Sequence, residues 1–236
     1  MEKQQRIIQM FNDISPTYDR LNRILSFGVD RRWRRNGCLA ALKAHGRPVK
    51  HLVDVATGTG DLILFWREAG KASGTPIERA TGLDPAIGML TLARRKVKNA
   101  DFQEAQANAL PLEDNSADMV SISYGIRNVV DVDGALQEFH RVLEPGGHVL
   151  ILEFMSHPES TLMDRMSRLY MNKVLPKVGA MISKDNQAYT YLPESIQAFF
   201  STEQLVEKLT TAGFEIVQVK DDTFGISTRF IARKPG

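Results

Sequence analysis

The chain has 236 residues, of which 43% are hydrophobic and 25% are charged. This length and composition suit one globular domain with a sizeable core. Lysine and arginine total 30 against 28 aspartate and glutamate residues, so the net charge of +2 gives no reason to expect a nucleic acid partner. The single cysteine, Cys38, excludes an internal disulfide and a cysteine-rich metal site.

Location and metal content are predicted from the same composition. No stretch reaches the roughly 18 apolar residues of a membrane span, and the first segment, MEKQQRIIQMFNDIS, is polar and amphipathic. We therefore expect a cytoplasmic protein in which Cys38 is a small buried residue. The histidines show no H-x-x-x-H spacing, so no metal is assigned to them: His45, His51, His140, His148 and His157.

Along the chain, the repeat of apolar residues alternates between about two residues, as in strands, and about 3.6 residues, as in helices. This alternation is typical of α/β proteins. Helices are predicted first, in RIIQMFNDI, YDRLNRILS and RRWRRNGCLAALKAH. Next come strand HLVDVA, helix DLILFWREAG, strand RATGLD, helix IGMLTLARRKVK and a short extended run, DFQEAQ. A fourth strand, DMVSIS, precedes a helix that carries one apolar stripe and is predicted to stop at EPGG. The stripe consists of Val132, Ala135, Leu136, Phe139, Val142 and Leu143.

The rest of the chain completes the predicted sheet. Strand HVLILEF is followed by a mostly helical segment, a helix with a Ser201/Gln204 capping box, and strands EIVQVK and GISTRFIA. The alternation predicts a doubly wound, mostly parallel sheet in one domain over residues 1–236. Its parts are a helical cap (1–50), a cofactor-binding core (51–155), a helical substrate-side insertion (156–200) and a closing helix and strands (201–236).

A glycine-rich turn, LVDVATGTGDL, follows the first strand. A dinucleotide site needs G-x-G-x-x-G, but here Gly58 and Gly60 are not followed by the third glycine. Asp54 and Asp61 flank the turn, so a pyrophosphate would be repelled and a ligand with positive charge favoured. S-adenosylmethionine, with its ammonium and sulfonium groups, fits this turn. The alternative is that Asp61 only stabilises the first turn of its helix.

Two further loops indicate an adenosine ligand. Asp84 ends the second strand, where a carboxylate can accept both ribose hydroxyls of an adenosine. The segment QANALP follows the third strand, where Asn108 and the Ala109 backbone could reach the adenine edge or form an ordinary loop. Together the three loops predict an adenosine-bearing, partly cationic ligand.

With these motifs the chain resembles the C-methyltransferases of ubiquinone and menaquinone biosynthesis over nearly its whole length. The resemblance rests on FNDISPTYDRLNRILSFGVDRRW, VDVATGTGD, GLDPAIGML, SYGIRNVVD, RVLEPGGHVLILEF, VLPKVGAMISKD and YTYLPESIQAF. It implies a class I methyltransferase (Rossmann-like) fold with a seven-stranded sheet, S-adenosylmethionine as cofactor, and methyl transfer to a ring carbon of a prenylated quinol, demethylmenaquinol to menaquinol above all. Positions that match those the family uses for the cofactor are Thr59, Asp84, Asn108, Ala109 and Ser123. The predicted cofactor site also includes Asp54, Thr57, Gly58, Gly60, Asp61 and Met89.

The sequence departs from the family pattern in four places. Thr57 stands where many relatives have glycine, Tyr124 replaces the commoner phenylalanine, and the loop after Asn108 is shorter. The final GISTRF lacks a histidine that is often present. These departures bear on substrate detail, so the choice between a naphthoquinol and a benzoquinol stays open.

Candidate catalytic residues follow the fourth strand. Arg127 and Asn128 come at its carboxyl end, where the methyl acceptor must lie, and we predict that they orient the quinol oxygen. Tyr18 and Asp19, in the family-like segment YDRLN, are predicted to close over the ring.

Two features bear on partners. In DRRWRR, basic residues surround Trp33 and could meet anionic lipid heads or form a solvated helix face. These basic residues are Arg31, Arg32, Arg34 and Arg35. Because a prenylated quinol lies in the bilayer, we expect weak peripheral membrane association through the amino-terminal helices and residues 156–200. A homodimer is left open, as are a nicotinamide-dependent oxidoreductase and a non-catalytic adenosylmethionine-binding subunit.

Overall fold

The computed structural model describes residues 2–156 and 187–236. Its helices are α1 (Glu2–Ile14), α2 (Tyr18–Leu25), α3 (Val29–His45), α4 (Asp61–Ser73), α5 (Ile87–Lys96), α6 (Val132–Val142), α7 (Gln187–Gln197) and α8 (Thr202–Thr211). Its strands are β1 (Val49–Val55), β2 (Ile77–Asp84), β3 (Asp101–Glu104), β4 (Ala117–Ser123), β5 (Leu143–Glu153), β6 (Glu215–Asp222) and β7 (Ser227–Arg233). Of the helical insertion predicted over 156–200, residues 157–186 lie outside the described ranges, and α7 is helical as predicted.

The strands form one sheet in the order β3-β2-β1-β4-β5-β7-β6. All neighbouring pairs are parallel except those made by β7, which is antiparallel to both β5 and β6. The predicted seven-stranded, mostly parallel sheet is therefore confirmed. From β1 the chain builds outward through β2 and β3 and then returns to the other side of β1 with β4, so the crevice for a ligand lies where β1 and β4 end.

Helices cover both faces of the sheet, as the side chains of strand β5 illustrate. Side chains alternate between the faces of a strand, so Val149 and Ile151 pack against the layer that contains α6 and α8, while Leu150 and Leu152 pack against α3 and α4. Gly37 lets α3 approach the sheet closely, because a Cβ there would lie 3.0 Å from a methyl of Leu152. Cys38, the next residue, is fully buried, as predicted.

The sixth helix ends within one residue of the stop predicted at EPGG, but the next strand begins earlier than predicted. Helix α6 ends at Val142 and β5 begins at the next residue, so EPGG lies within the strand and Leu143 is not helical. Gly146 has φ of +77°, and the pairing of β4 with β5 shifts register between Ala117 and Met119. The register with β4 passes from Leu143 to His148, so EPGG forms a bulge, and Gly146 and Gly147 bond to the Lys234 backbone instead.

The capping box of α8 is confirmed. Ser201 Oγ accepts a hydrogen bond from the Gln204 backbone at 3.3 Å, and the Gln204 side chain accepts one from the Ser201 backbone at 2.9 Å. Among the helices of residues 2–156 and 187–236, none is long and apolar enough to cross a membrane.

Candidate functional site

A cavity of about 400 Å³ lies at the carboxyl ends of β1, β2 and β4. Helix α1 closes one side of it with Ile7, Ile8 and Phe11, the apolar residues whose spacing predicted that helix. The sequence-predicted residues that line it are Tyr18, Gly58, Asp84, Met89, Asn108, Ser123 and Asn128. The cavity thus brings together side chains from the cofactor group and the acceptor group of the prediction.

The turn after β1 is shaped by its backbone. Ala56 and Gly58 have φ of +50° and +56°, and Gly60 has φ of +80°. A Cβ on Gly60 would lie 2.8 Å from a methyl of Val97, so glycine is required there by space as well as by conformation. The turn consequently brings backbone N–H groups close to the end of β2.

Asp84 joins this turn to the turn after β2. Its carboxylate accepts hydrogen bonds from the Gly58 and Ala86 backbone N–H groups, each at 2.8 Å. Burial nevertheless raises the pKa of Asp84 to about 6, against the effect of these two bonds. A ligand that donated further hydrogen bonds to the carboxylate would therefore favour its ionised form.

Asp54, at the end of β1, is a second buried carboxylate. It accepts hydrogen bonds from Thr57 Oγ1 at 2.6 Å and from Ser121 Oγ at 2.7 Å. Burial raises the pKa of Asp54 to about 6, although both hydroxyls lower it. Within the described part of the chain, neither Asp54 nor Asp84 forms an ion pair, so both can interact favourably with a cationic ligand.

Asp61 has a different environment from the one the sequence suggested. Its carboxylate receives Lys96 Nζ on one oxygen and the Arg23 guanidinium on the other. Burial by itself would raise the pKa of Asp61, but the hydrogen bond and charge of Lys96, together with Arg23, lower it. The expectation that Asp61 offers unpaired negative charge is therefore corrected, since two basic side chains neutralise it.

These contacts extend into a chain of alternating charges, which we call the charge chain. Its members in order are Asp19, Lys96, Asp61, Arg23, Asp30 and Arg34. Lys96 Nζ lies 2.6 Å from Asp19 Oδ2, and Thr59 Oγ1 donates to the other oxygen of Asp19 at 2.6 Å. The charge chain ties α2 and α3 of the cap to α4, α5 and the glycine turn.

A narrow recess opens beside the large cavity and shares Tyr18, Gly58 and Ser123 with it. Predicted residues that line only the recess are Asp19, Asp54, Thr57, Thr59 and Asp61. No group of three or more histidine, cysteine, aspartate or glutamate side chains is placed to hold a metal ion among the described residues.

The loop after β3 is fixed by hydrogen bonds within itself and to the segment around α6. Asn108 Nδ2 donates to Asp131 Oδ2 at 3.1 Å, and the Ala109 N–H donates to the Gln106 carbonyl at 3.1 Å. Asn108 and Asp131 both line the cavity, whereas Ala109 is not among its lining residues. The loop is fixed further by Glu138, which accepts a hydrogen bond from the Leu110 N–H at 2.7 Å.

Ser123, at the end of β4, provides a test of whether a ligand fits. Its Oγ is buried and has no hydrogen-bond partner among the residues that the structure describes. An unsatisfied buried hydroxyl is costly unless a ligand or water completes it. Because Ser123 lines both the cavity and the recess, a polar ligand that spans the two would satisfy it.

The residue after Ser123 is Tyr124, which adopts φ of +57°. Its ring stacks on Phe154 at 4.6 Å between centroids, and its hydroxyl lies 2.9 Å from Ser227 Oγ. Burial raises the pKa of Tyr124, so the phenol stays neutral. The tyrosine that departs from the family pattern thus has a specific partner in the GISTRF segment, which departs from it too.

The two predicted acceptor-side residues occupy different positions. Asn128 lines the cavity, and its Oδ1 accepts a hydrogen bond from the Tyr191 hydroxyl at 2.9 Å. Arg127 is not among the lining residues; its Nη1 donates to Glu153 and to the Tyr124 carbonyl, each at 2.7 Å. Glu153 is fully buried, so Arg127 belongs to a buried ion pair just behind the cavity.

Sequence reasoning missed four members of the charge chain: Arg23, Asp30, Arg34 and Lys96. Asp30 and Arg34 are four residues apart on α3, a spacing that commonly gives helix ion pairs and could have been used. The pairs of Asp61 with Lys96 and Arg23 span 35 and 38 residues, so no local pattern reveals them.

Comparisons with known proteins identify the family of the chain. Residues 1–234 match the model of the ubiE/COQ5 methyltransferase family. The chain is 45% identical over 234 residues to the ubiquinone/menaquinone biosynthesis C-methyltransferase UbiE of Campylobacter jejuni, covering 99% of this chain and 100% of that protein. It is 42% identical over 230 residues to the demethylmenaquinone methyltransferase of Thermus thermophilus, covering 96% and 100%.

The fold has relatives among solved structures as well. A crystal structure of an S-adenosylmethionine-dependent methyltransferase from Thermotoga maritima superposes with a TM-score of 0.62 at 21% identity, covering 97% of this chain and 99% of that one. This likeness confirms the class I methyltransferase fold. Neither the nicotinamide-dependent oxidoreductase nor the non-catalytic subunit gains support from these matches. The chain is therefore an S-adenosylmethionine-dependent methyltransferase and belongs to the ubiE/COQ5 methyltransferase family.

Proposed function

We propose that this methyltransferase methylates a ring carbon of a prenylated quinol and that its acceptor is demethylmenaquinol. The observation that carries the proposal is the family match over residues 1–234, because the family's activity is methylation in quinone biosynthesis. The similar proteins from Thermus thermophilus and Bacteroides fragilis are named demethylmenaquinone methyltransferases. The apolar wall that α1 adds to the cavity suits a flat, hydrophobic ring.

The cofactor would extend from the cavity into the recess. Asp84 would accept hydrogen bonds from the ribose hydroxyls, Ser123 would gain the partner that it lacks, and Met89 and the Asn108–Ala109 loop would surround the adenine. Asp54 would interact with the ammonium group. When bound, S-adenosylmethionine supplies an electrophilic methyl group.

The remaining cofactor residues would act through the shape of the turn. Gly58 and Gly60 keep their left-handed backbone, Thr57 holds Asp54, and Thr59 and Asp61 fix the turn to the cap. Carboxylates pressed against the sulfonium would stabilise the ground state and slow transfer. The acidic residues should therefore bind the ribose and amino-acid ends.

Carbon is a weak nucleophile unless an adjacent hydroxyl pushes electrons into the ring, so the acceptor should be the reduced quinol. Asn128 faces the cavity, and with its Oδ1 bonded to Tyr191 its amide N–H groups can donate to the quinol oxygen. Arg127 would stabilise the negative charge that develops on that oxygen from behind Asn128. Tyr18 would contact the ring, and Asp19 would hold the cap closed above it.

Weak association with a membrane surface belongs to the same proposal, but the structure changes which residues would contact lipid. Trp33 and Arg34 of DRRWRR are only 5% and 6% exposed. Phe27, in the turn before α3, and Phe224, in the turn between β6 and β7, are 80% and 79% exposed. Strand β6 runs parallel to β5, so the Phe224 turn lies at the same edge of the sheet as the cavity.

The proposed acceptor is tested by mass spectrometry of the quinone pool in cells that lack this protein. We expect demethylmenaquinone to accumulate and the wild-type chain to restore menaquinone. The Asn128→Ala variant should restore it at least about a hundredfold more slowly while binding S-adenosylhomocysteine normally. An unchanged quinone pool, or accumulation of a demethylated benzoquinone instead, would contradict the assignment.

A further inference from the structure

The recess beside the glycine turn contains one basic side chain that the proposed cofactor site has not used. Arg34, on α3, lines the recess together with Asp54 and Asp61. Its side chain is only 8% exposed, although arginine is among the residues most rarely buried. Burial works to lower the pKa of Arg34, but interactions with Tyr124, Asp30 and other neighbours raise it, so the guanidinium stays charged.

The existing partners of Arg34 use only part of its hydrogen-bonding capacity. Among the described residues, its hydrogen bond runs from Nη1 to Asp30, and Asp30 also receives Arg23. The guanidinium lies 5.0 Å from the centroid of the Tyr124 ring, a contact that leaves its N–H edges available. Nε and Nη2 can therefore donate to an anionic group that enters the recess.

The charges around the recess complement an amino-acid zwitterion. Within the charge chain, three acidic and three basic side chains alternate. Arg34 is the last member, and its ion pair in the chain is with Asp30. Asp54 stands outside the chain and forms no ion pair with the described residues, although the charge of Arg34 lowers its pKa. The recess thus offers a carboxylate for an ammonium group and a guanidinium for a carboxylate.

The recess is also where the amino-acid end of the cofactor has to lie. The large cavity contains Asp84, the proposed ribose acceptor, and it shares Gly58 and Ser123 with the recess. A ligand anchored at Asp84 reaches the recess by passing these two residues. We propose that Arg34 binds the α-carboxylate of S-adenosylmethionine and that the recess recognises the zwitterionic end of the cofactor.

This inference rests on the proposed placement of the cofactor. It gives Arg34 a role that the basic segment DRRWRR did not suggest. A planar guanidinium suits a carboxylate because two N–H groups can donate in parallel. If Arg34 served only to pair with Asp30 and fix α3, its loss would weaken every ligand of the site alike. Binding should therefore be compared for ligands with and without the carboxylate.

The experiment measures, by calorimetry, the affinities of S-adenosylmethionine and of its decarboxylated analogue, which differ only in that carboxylate. We expect the wild-type chain to bind S-adenosylmethionine about ten- to a hundredfold more tightly than the analogue. Arg34→Met should abolish this ratio while leaving affinity for the analogue within about twofold. Arg34→Lys, which keeps a positive charge, should retain part of the ratio.

Arg35→Met is the matched control, because Arg35 is exposed on the same helix and should keep the wild-type ratio. A wild-type ratio near one, or equal weakening of both ligands in Arg34→Met, would overturn the proposal. If Arg34→Met fails to fold, the wild-type and Arg34→Lys ratios still decide the question. An error in the proposed acceptor would instead appear in the quinone pool and leave these ratios unchanged.

Discussion

At the scale of single residues, the role proposed for Asp84 predicts that cofactor binding depends on pH. Burial raises its pKa to about 6, and only the ionised carboxylate can accept hydrogen bonds from both ribose hydroxyls. Bound ligand should lower this pKa, so affinity for S-adenosylhomocysteine should be constant above pH 7 and fall as the pH drops through 6. Asp54 titrates in the same range and changes affinity in the same direction.

The Asp84→Asn variant separates these two carboxyls. We expect it to bind S-adenosylhomocysteine about ten- to thirtyfold more weakly at neutral pH and to show a shallower pH dependence, since only Asp54 still titrates. Calorimetry between pH 5 and 8 measures both effects. Wild-type affinity in the variant would remove Asp84 from the site.

Some residues of the site could be predicted from the sequence and others could not. Asp84 and Gly58 were predictable because strand ends and the breaks between them are visible in the apolar pattern, and the sheet then brings the ends together. The neutralisation of Asp61 was not predictable, because Lys96 and Arg23 reach it only after α2 and α5 have packed. The sequence predicts a lipid-facing or solvated position for Arg34, because the run of basic residues around it gives no sign that Arg34 alone is buried.

At the scale of elements, α1 and α2 are attached to the core by an apolar cluster in which Ile14 meets Ala86 and Met89, and by several polar contacts. Asn12 accepts a hydrogen bond from the Gly88 N–H at 2.8 Å, Gln4 accepts one from the Val130 N–H at 3.1 Å, and Asp19 pairs with Lys96. Partly exposed ion pairs contribute only about 0.2–1 kcal/mol each. Loss of one such pair should therefore loosen α1 and α2 without unfolding the sheet.

Lys96→Met tests this attachment, because it removes the ion pairs to Asp19 and Asp61 together. We expect backbone amides of α1 and α2 to exchange with solvent roughly tenfold faster while the exchange of β1 and β4 is unchanged. Lys98→Met is the control, since Lys98 is exposed and its side chain is outside the charge chain. Equal protection of the cap in Lys96→Met and wild type would show that the charge chain does not hold it.

The apolar pattern predicted most helices and strands but not the start of β5. The apolar stripe of α6 and the alternation in the strands were sufficient to predict the sheet, because burial of one face is a local property of each segment. Proline and glycine commonly end helices and strands, whereas here EPGG stays within β5 as a bulge whose glycines bond to Lys234. Lys234 is far away in sequence, so no local pattern predicts that these bonds override the local preference.

At the scale of the whole molecule, the exposed aromatic residues lie at the edge that carries the cavity. Trp33 Nε1 donates to Thr223 Oγ1 at 2.8 Å, and this bond connects the start of α3 to the turn that carries Phe224. The two exposed rings are therefore held on elements that are joined to each other. If this edge faces the bilayer, a prenylated acceptor can enter the cavity while its tail remains in lipid.

The last prediction tests this orientation by flotation with vesicles of phosphatidylcholine, with or without phosphatidylglycerol. Burying each phenylalanine in the interface should contribute about 1.5–3 kcal/mol, so the double change Phe27→Ser and Phe224→Ser should release the protein from both kinds of vesicle. Replacing Arg31 and Arg32 by glutamine should weaken binding only to the anionic vesicles and reduce its dependence on salt. Val217→Ser, at an exposed position in β6, removes apolar surface elsewhere and should leave flotation unchanged. Undiminished flotation of the double phenylalanine variant would show that another face of the molecule meets the membrane.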